Sequence, residues 1–135
     1  MLNRKEQLAE FEKLLERLRS ASLENPVLVE GDRDVAALHA LGLEGGIEKL
    51  NRGESIVGRT DALSRRYRKI IVLTDWDCKG VELHDRLARL LQDARVAVDD
   101  FYWSRLKRLA VRPGGCRTVE SLPSFLEFLK ERAGQ

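Results

Sequence analysis

The run KIIVLT at residues 69–74 restricts the fold of this chain more than any other segment. It is short, apolar and rich in β-branched residues, which is typical of a strand buried in a parallel sheet. A similar run, PVLVE, stands at residues 26–30. Each run leads into a short acidic turn and then into a segment with helical spacing of its apolar residues. These two strand–turn–helix units predict an α/β fold with a parallel sheet covered on both faces.

The remaining segments fit the same alternation. Apolar residues at three- and four-residue spacing predict further helices, over residues 4–19, 34–41, 81–91 and 121–130. Shorter extended runs predict strands at residues 47–50, 55–57 and 95–98. Thr60 is expected to cap a helix that ends near Tyr67, and residues 113–115 are expected to form a loop. For residues 101–109 the pattern leaves both a helix and a connecting arm open.

The composition of the chain limits the class of protein. A length of 135 residues with 43% hydrophobic and 34% charged residues fits one globular domain, here residues 26–135, with an N-terminal helix in residues 1–25 packed on it. No apolar run is long enough to span a membrane and no signal peptide is recognisable, so a cytoplasmic protein is expected. Cys78 and Cys116 lie far apart, which argues against a disulfide framework or a cysteine zinc site.

Three carboxylates are expected to meet at one edge of the sheet. Glu30 ends the first buried run, and Asp75 and Asp77 follow the second. Ligands of open parallel sheets bind at the carboxyl ends of the strands, where these residues lie. Clustered carboxylates repel each other, and oxygen ligands favour Mg²⁺ or Mn²⁺. The pattern therefore predicts a Mg²⁺ site, with Mn²⁺ as a substitute.

A simpler interpretation of each aspartate also fits the sequence. An Asp that follows a strand often serves only as the N-cap of the next helix. This interpretation applies to Asp32, Asp34 or Asp75 taken singly, and it leaves the grouping of Glu30 with the D-x-D residues unexplained.

The two acidic segments resemble a known family signature. Glu30-Gly31-Asp32-Arg33-Asp34 reads E-G-x-x-D, and residues 75–80 read D-x-D-x-x-G. Together they resemble the Toprim family, found in bacterial primases, topoisomerases, OLD-type nucleases and the 5S ribosomal RNA maturase. The resemblance covers about residues 26–98. It is greatest to the small stand-alone archaeal Toprim proteins, which also carry a V-E-x-L segment like that at residues 119–122.

The resemblance implies a Toprim (Rossmann-like) fold with about four parallel strands flanked by helices. It implies that Glu30 is the catalytic acid/base and shares in metal binding, while Asp75 and Asp77 hold Mg²⁺. It further implies three supporting residues. These are Gly31, which lets the backbone bend beside the site, Asp34, which supports the turn, and Gly80, which opens the next helix against a phosphate.

A Toprim protein with these residues is expected to act on nucleic-acid phosphodiester bonds, as a nuclease, a nucleotidyl-transfer enzyme or an RNA- or DNA-processing factor. The extra domains of topoisomerases and primases do not fit in this length, so those activities are not expected. The alternative is a non-catalytic module that binds nucleic acid or a protein partner. Candidate nucleic-acid contacts are an aromatic residue in the D-x-D turn and nearby cations: Trp76, Lys79, Arg105 and Lys107. The pattern leaves open whether the nucleic acid is DNA or RNA.

Overall fold

The computed structural model describes residues 2–111 and 116–134 of the chain. The strands are β1 (Val27–Val29), β2 (Ile47–Lys49), β3 (Lys69–Val72) and β4 (Ala97–Asp99). The helices are α1 (Arg4–Ser22), α2 (Asp32–Ala40), α3 (Ile56–Arg66), α4 (Cys78–Asp93), α5 (Phe101–Ala110) and α6 (Leu122–Ala133). A short 3-10 turn, Val119–Ser121, precedes α6.

The four strands form one parallel sheet in the order β2-β1-β3-β4. This confirms the predicted α/β class with a four-stranded parallel sheet flanked by helices. The chain leaves β1 towards β2 on one side, then crosses back over β1 to reach β3 on the other. The point where the strand order reverses therefore lies between β1 and β3. In open parallel sheets this reversal opens a crevice at the carboxyl ends of the strands, where ligands bind.

The sheet separates two apolar layers. On one face, Leu28, Ile70 and Val72 pack against buried leucines of α3 and α4. The other face supports a larger core, to which α1, α2, α5 and α6 all contribute. The central strands β1 and β3 are buried on both faces, apart from the exposed Lys69 at the start of β3, as their apolar sequences predict.

The N-terminal helix α1 belongs to the larger core. The predicted apolar stripe of α1 is buried in this core, and Phe11, Leu15 and Leu18 are fully buried. The helix contacts α5 and α6, and the ring of Phe11 meets Phe125 edge to face at 5.5 Å between centroids. Residue Asn3 caps the helix through a hydrogen bond from the Glu6 N–H to its side-chain oxygen. The N-terminal segment thus packs on the chain's own sheet layer.

Two local predictions are wrong and one ambiguity is resolved. The strand expected at residues 55–57 is absent, because Ser55 is the N-cap of α3 and its Oγ accepts a hydrogen bond from the Gly58 N–H. Thr60 consequently lies inside α3, where its hydroxyl donates to the Ile56 carbonyl, and it caps nothing. Residues 101–109 are helical, as part of α5. The loop predicted at residues 113–115 lies outside the described residues.

Within residues 2–111 and 116–134, every helix is too short or too polar to cross a membrane.

Candidate functional site

Glu30 and Asp75 come together at the point where the strand order reverses. Glu30 directly follows β1, and Asp75 follows β3 after a two-residue continuation of the strand. The backbone N–H of Asp75 donates a hydrogen bond of 3.1 Å to Oε2 of Glu30. The parallel pairing of Leu28 with Val72 brings the two strand ends level, so both acidic segments open on the same edge of the sheet.

The Asp75 carboxyl is in an unusual electrostatic environment. It is partly buried, and its Oδ1 accepts a hydrogen bond of 2.8 Å from the Val119 N–H. Burial, together with the charges of Glu30, Asp34 and Asp77, raises the pKa of Asp75 to about 6, although the Val119 hydrogen bond works in the opposite direction. With a pKa of about 6, the carboxyl of Asp75 gains its proton only a little below neutral pH, and such raised pKa values are common among groups that carry a proton or bind a cation.

Asp77 is the N-cap of α4. Its Oδ1 accepts a hydrogen bond of 2.7 Å from the Gly80 N–H, and the residue is exposed. The sequence left a capping role open for Asp32, Asp34 or Asp75. The residue that caps α4 is instead Asp77, through one of its carboxylate oxygens. No hydrogen bond within the described residues involves its Oδ2.

Gly80 closes the D-x-D turn tightly. A Cβ built on this glycine would overlap the carbonyl oxygen of Asp75, so no larger residue fits without a backbone shift. The Thr74 hydroxyl also donates a hydrogen bond of 2.9 Å to the Gly80 carbonyl inside the turn. The first turn of α4 is thus pressed against the end of the β3 segment.

The turn after β1 is held by Asp34. The Oδ2 atom of this buried residue accepts a hydrogen bond of 3.2 Å from the Gly31 N–H. Burial raises the pKa of Asp34, and the charge of Glu120 adds to the rise, while backbone N–H groups of Gly31 and Glu30 partly offset it. Asp34 thus supports the turn from inside the fold, whereas Glu30 is only partly buried.

The structure corrects the role expected of Gly31. Its φ of −158° is extended backbone that any residue adopts, and a Cβ built there would lie 3.7 Å from Nδ2 of Asn51, an ordinary contact. The bend beside the site therefore does not depend on glycine.

The acidic residues do not form a preorganised metal site with three or more protein ligands. Within residues 2–111 and 116–134, no group of three or more His, Cys, Asp or Glu side chains is arranged to hold a metal ion. What the fold assembles is the close association of Glu30 with Asp75, beside an exposed Asp77.

Trp76 is not available to stack on a base, which corrects the partial exposure expected from its position in the turn. It is 4% exposed, and its Nε1–H donates a hydrogen bond of 3.0 Å to the Trp103 carbonyl. In return, the Trp103 Nε1–H donates a hydrogen bond of 3.0 Å to the carbonyl of Thr74. The two tryptophans therefore fasten α5 to the D-x-D turn and belong to the core.

The other candidate nucleic-acid contacts are exposed. Lys79 lies in the first turn of α4, directly after the D-x-D residues. On α5, Lys107 Nζ lies 5.2 Å from the centre of the Trp103 ring, and the Arg105 guanidinium lies 5.0 Å from that of Phe101. Arg105 is two residues from Trp103, and such residues point in nearly opposite directions on a helix. It therefore faces away from the side of α5 that contacts the D-x-D turn.

Sequence reasoning did not assign roles to Val119 and Trp103, although both shape the site. The segment that carries Val119 runs beside the D-x-D turn, and its Arg117 carbonyl accepts a hydrogen bond of 2.8 Å from the Trp76 N–H. The V-E-x-L segment was the available signal for this contact. Trp103 also packs face to face on the buried His84, with ring centroids 3.9 Å apart.

The chain is similar to several archaeal proteins. It is 38% identical to a UPF0292 protein of Thermoplasma volcanium over 84% of this chain and 92% of that protein. It is 36% identical to a UPF0292 protein of Thermococcus onnurineus, over 74% and 72% of the two chains. A UPF0292 protein of Methanosarcina barkeri matches with 28% identity over 96% of this chain and 90% of that protein.

The fold also resembles a solved structure. A protein of Aquifex aeolicus superposes with a TM-score of 0.70 and 26% sequence identity, over 81% of this chain and 94% of that one. No protein-family model matches the chain.

Proposed function

The chain belongs to the UPF0292 family of archaeal proteins, and from this premise we propose that it is a Mg²⁺-dependent Toprim-type protein that acts on nucleic-acid phosphodiester bonds. The reactions included in this proposal are strand cleavage and RNA or DNA processing. The observation that carries the proposal is the hydrogen bond from the Asp75 N–H to Glu30, which joins the E-G-x-x-D and D-x-D-x-x-G segments where the strand order reverses.

The donor set at this edge is compatible with Mg²⁺. This ion binds through one or two carboxylates, several waters and substrate phosphate, rather than through an all-protein cage. Mg²⁺ therefore does not require a three-ligand group, and none is found among the described residues. Asp75 and Asp77 would hold the ion, with Glu30 beside it.

Each acidic residue has a distinct task in this proposal. When bound, Mg²⁺ would offset the negative charge of a phosphate and polarise it. Glu30 would accept or donate the proton of the attacking or departing hydroxyl. The hydrogen bond from the Asp75 N–H fixes one oxygen of Glu30 in position for this transfer. Asp77 would keep the first turn of α4 in register while its outer oxygen faces the ligand.

Metal binding can be tested by calorimetric titration with Mg²⁺ and Mn²⁺. Wild-type protein is expected to bind one ion, and the double variant Asp75→Asn/Asp77→Asn is expected to bind none. Asn retains a side-chain oxygen that accepts the Val119 and Gly80 hydrogen bonds, so the double variant should fold. Asp61→Asn, at an exposed position on α3, serves as the matched control. Equal binding by the double variant and the wild type would contradict the metal assignment.

Catalysis can be tested on structured RNA and on single-stranded DNA in the presence of Mg²⁺ or Mn²⁺. The wild type should cleave or join at least one substrate, and Glu30→Gln should lose that activity while still binding metal. Glu54→Gln, at an exposed position before α3, is the control. If no metal-dependent activity is found on a broad substrate panel, the catalytic part of the proposal fails.

A specific observation also favours a second candidate, a non-catalytic binding module. One oxygen each of Asp75 and Asp77 serves the fold as a hydrogen-bond acceptor, as expected of residues kept for structure. Such a module would bind nucleic acid with the same affinity in the wild type and in Glu30→Gln, and neither protein would alter it chemically.

A further inference from the structure

A groove between α1 and α5 gathers basic side chains outside the candidate site. It encloses a cavity of about 360 Å³ and has a partly apolar floor that includes Leu14 and Leu109. Its charged lining is formed by four basic residues and one acidic residue, namely Lys13, Arg17, Arg105, Arg108 and Glu10. The α1–α5 groove therefore carries a local positive charge that the nearly balanced composition of the chain hides.

Two arginines from different helices converge on one aromatic ring in this groove. The guanidinium of Arg17 on α1 lies 4.7 Å from the centre of the Phe101 ring, and that of Arg105 on α5 lies 5.0 Å from it. Across residues 2–111 and 116–134, neither guanidinium forms a hydrogen bond or an ion pair. Both retain their full set of N–H donors.

This arrangement has an electrostatic cost and a chemical use. Like charges held near one ring repel each other, and an anion between them removes that repulsion. Guanidinium groups bind phosphate through paired N–H donors, and their flat faces stack on rings. A groove that combines such cations with an aromatic floor is typical of surfaces that bind single-stranded nucleic acid.

We propose that the α1–α5 groove binds the phosphate backbone of single-stranded nucleic acid, with Arg17 and Arg105 as its phosphate contacts and the Phe101 ring as the platform that holds both guanidinium groups. The cavity of about 360 Å³ lies near the lower end of the size range of ligand pockets, so it holds a group about the size of one nucleotide at a time. Lys13 extends the cationic lining along α1 towards neighbouring phosphates.

The groove acts separately from the acidic edge. Phe101 and Arg105 lie on the side of α5 opposite Trp103, which contacts the D-x-D turn. Binding in the groove is therefore metal-independent, and it is measured in EDTA. If the groove does not bind nucleic acid, the results of the metal titration and the cleavage assay are unaffected. If those two assays fail, the binding measured in EDTA is likewise unaffected.

The test is fluorescence anisotropy with a labelled single-stranded oligothymidylate, in EDTA and over a series of salt concentrations. The double variant Arg17→Ala/Arg105→Ala is expected to bind about tenfold more weakly at 0.1 M salt, because two phosphate contacts are lost. Its salt dependence should also fall, by about 0.7 in log–log slope for each lost contact.

The chain supplies a matched control. Arg4 and Arg132 lie 5.0 Å and 5.4 Å from the centre of the Phe128 ring, an arrangement similar to that in the groove. The variant Arg4→Ala/Arg132→Ala removes the same charge and the same kind of contact elsewhere, and it should weaken binding less than about threefold. Equal losses in the two double variants would overturn the proposal, because net charge alone would then explain the binding.

Further arms of the experiment address folding and the source of the phosphate. If the alanine variant does not fold, Arg17→Lys/Arg105→Lys keeps both charges and should bind more weakly than the wild type with a nearly unchanged salt slope. Thymidine monophosphate should compete far more weakly than the oligonucleotide, as should polyglutamate. Competition by either at the strength of the oligonucleotide would overturn the assignment to a nucleic-acid strand.

Discussion

The Asp75 N–H and the Glu30 carboxylate are hydrogen bonded at 3.1 Å, although the two residues are 45 positions apart in the chain. The contact spans the boundary between β1 and β3, which are neighbours only because the chain crosses over β1 after forming β2. It orients the proposed acid/base with a backbone group, which remains in place when side chains change. Substitution of Asp75 should therefore alter the charge of the site without releasing Glu30.

The stability of the protein should depend on pH through Asp75. Its pKa is raised from 3.8 to about 6, so the folded state binds the proton more tightly than the unfolded state. The contribution of this group to stability is therefore full below pH 3.8 and is lost as the pH rises through about 6. By pH 7.5 the loss is on the order of 2 kcal/mol.

Asp75→Asn, which stays neutral, should therefore have a higher Tm than the wild type at pH 7.5, and the difference should vanish near pH 4. Thermal unfolding followed by circular dichroism at several pH values measures this. Asp61→Asn should show no comparable trend. If the difference in Tm between Asp75→Asn and the wild type is the same at pH 7.5 and near pH 4, the pKa of Asp75 is not raised.

Two substitutions at Asp77 should separate its capping role from its charge. Asp77→Asn retains an acceptor for the Gly80 N–H, so its unfolding free energy should change by less than about 0.5 kcal/mol. Asp77→Ala removes the cap and should lose about 1 kcal/mol. Mg²⁺ binding should be weakened in both variants. Urea denaturation and calorimetry measure the two effects, and retention of full metal affinity by Asp77→Asn would show that the residue is only a cap.

Substitution by alanine should destabilise the protein much more at Gly80 than at Gly31. Gly80→Ala places a Cβ against the backbone carbonyl of Asp75, and it should cost about 3 kcal/mol of stability. Gly31→Ala meets only Asn51 at ordinary contact distance, and it should change stability by less than about 1 kcal/mol. Chemical denaturation of both variants checks the contrast. Similar losses at the two positions would mean that the turn after β1 is tighter than the structure indicates.

The paired tryptophans should contribute through their N–H groups as well as their size. Trp103→Phe leaves the Thr74 carbonyl without its hydrogen bond inside the core, and it should cost about 2 kcal/mol. Trp76→Phe should cost less, about 1 kcal/mol, because the Trp103 carbonyl lies inside α5 and keeps its helical hydrogen bond. Lys107→Ala, which removes the exposed cation over Trp103, should cost less than about 1 kcal/mol. Urea denaturation of the three variants measures these costs. A Trp103→Phe variant as stable as the wild type would contradict the role of the hydrogen bond.

Features set by near neighbours in the chain were predictable from the sequence. The apolar runs that became β1 and β3 and the stripes of α1 and α4 follow from spacing alone. The strand predicted at residues 55–57 is wrong because a short apolar run is compatible both with a strand and with the start of a helix. The hydroxyl of Ser55, which can cap a helix, was the local signal for the helix.

Features that depend on distant pairs were not predictable. The burial of Trp76 depends on Trp103, 27 residues away, and no local pattern links them. The α1–α5 groove needs Arg17 and Arg105 to meet over one ring, and this follows only from how the two helices pack.

The hydrogen bond from the Val119 N–H to Asp75 has a consequence for how the protein is made. Asp75 leaves the ribosome well before Val119, which lies 44 residues further along the chain. Until the later segment arrives, the carboxylate lacks this donor and α6 has not covered the core. A growing chain can therefore form the sheet before it can complete the acidic edge. The acidic edge would then be among the last parts of the structure to be completed during synthesis.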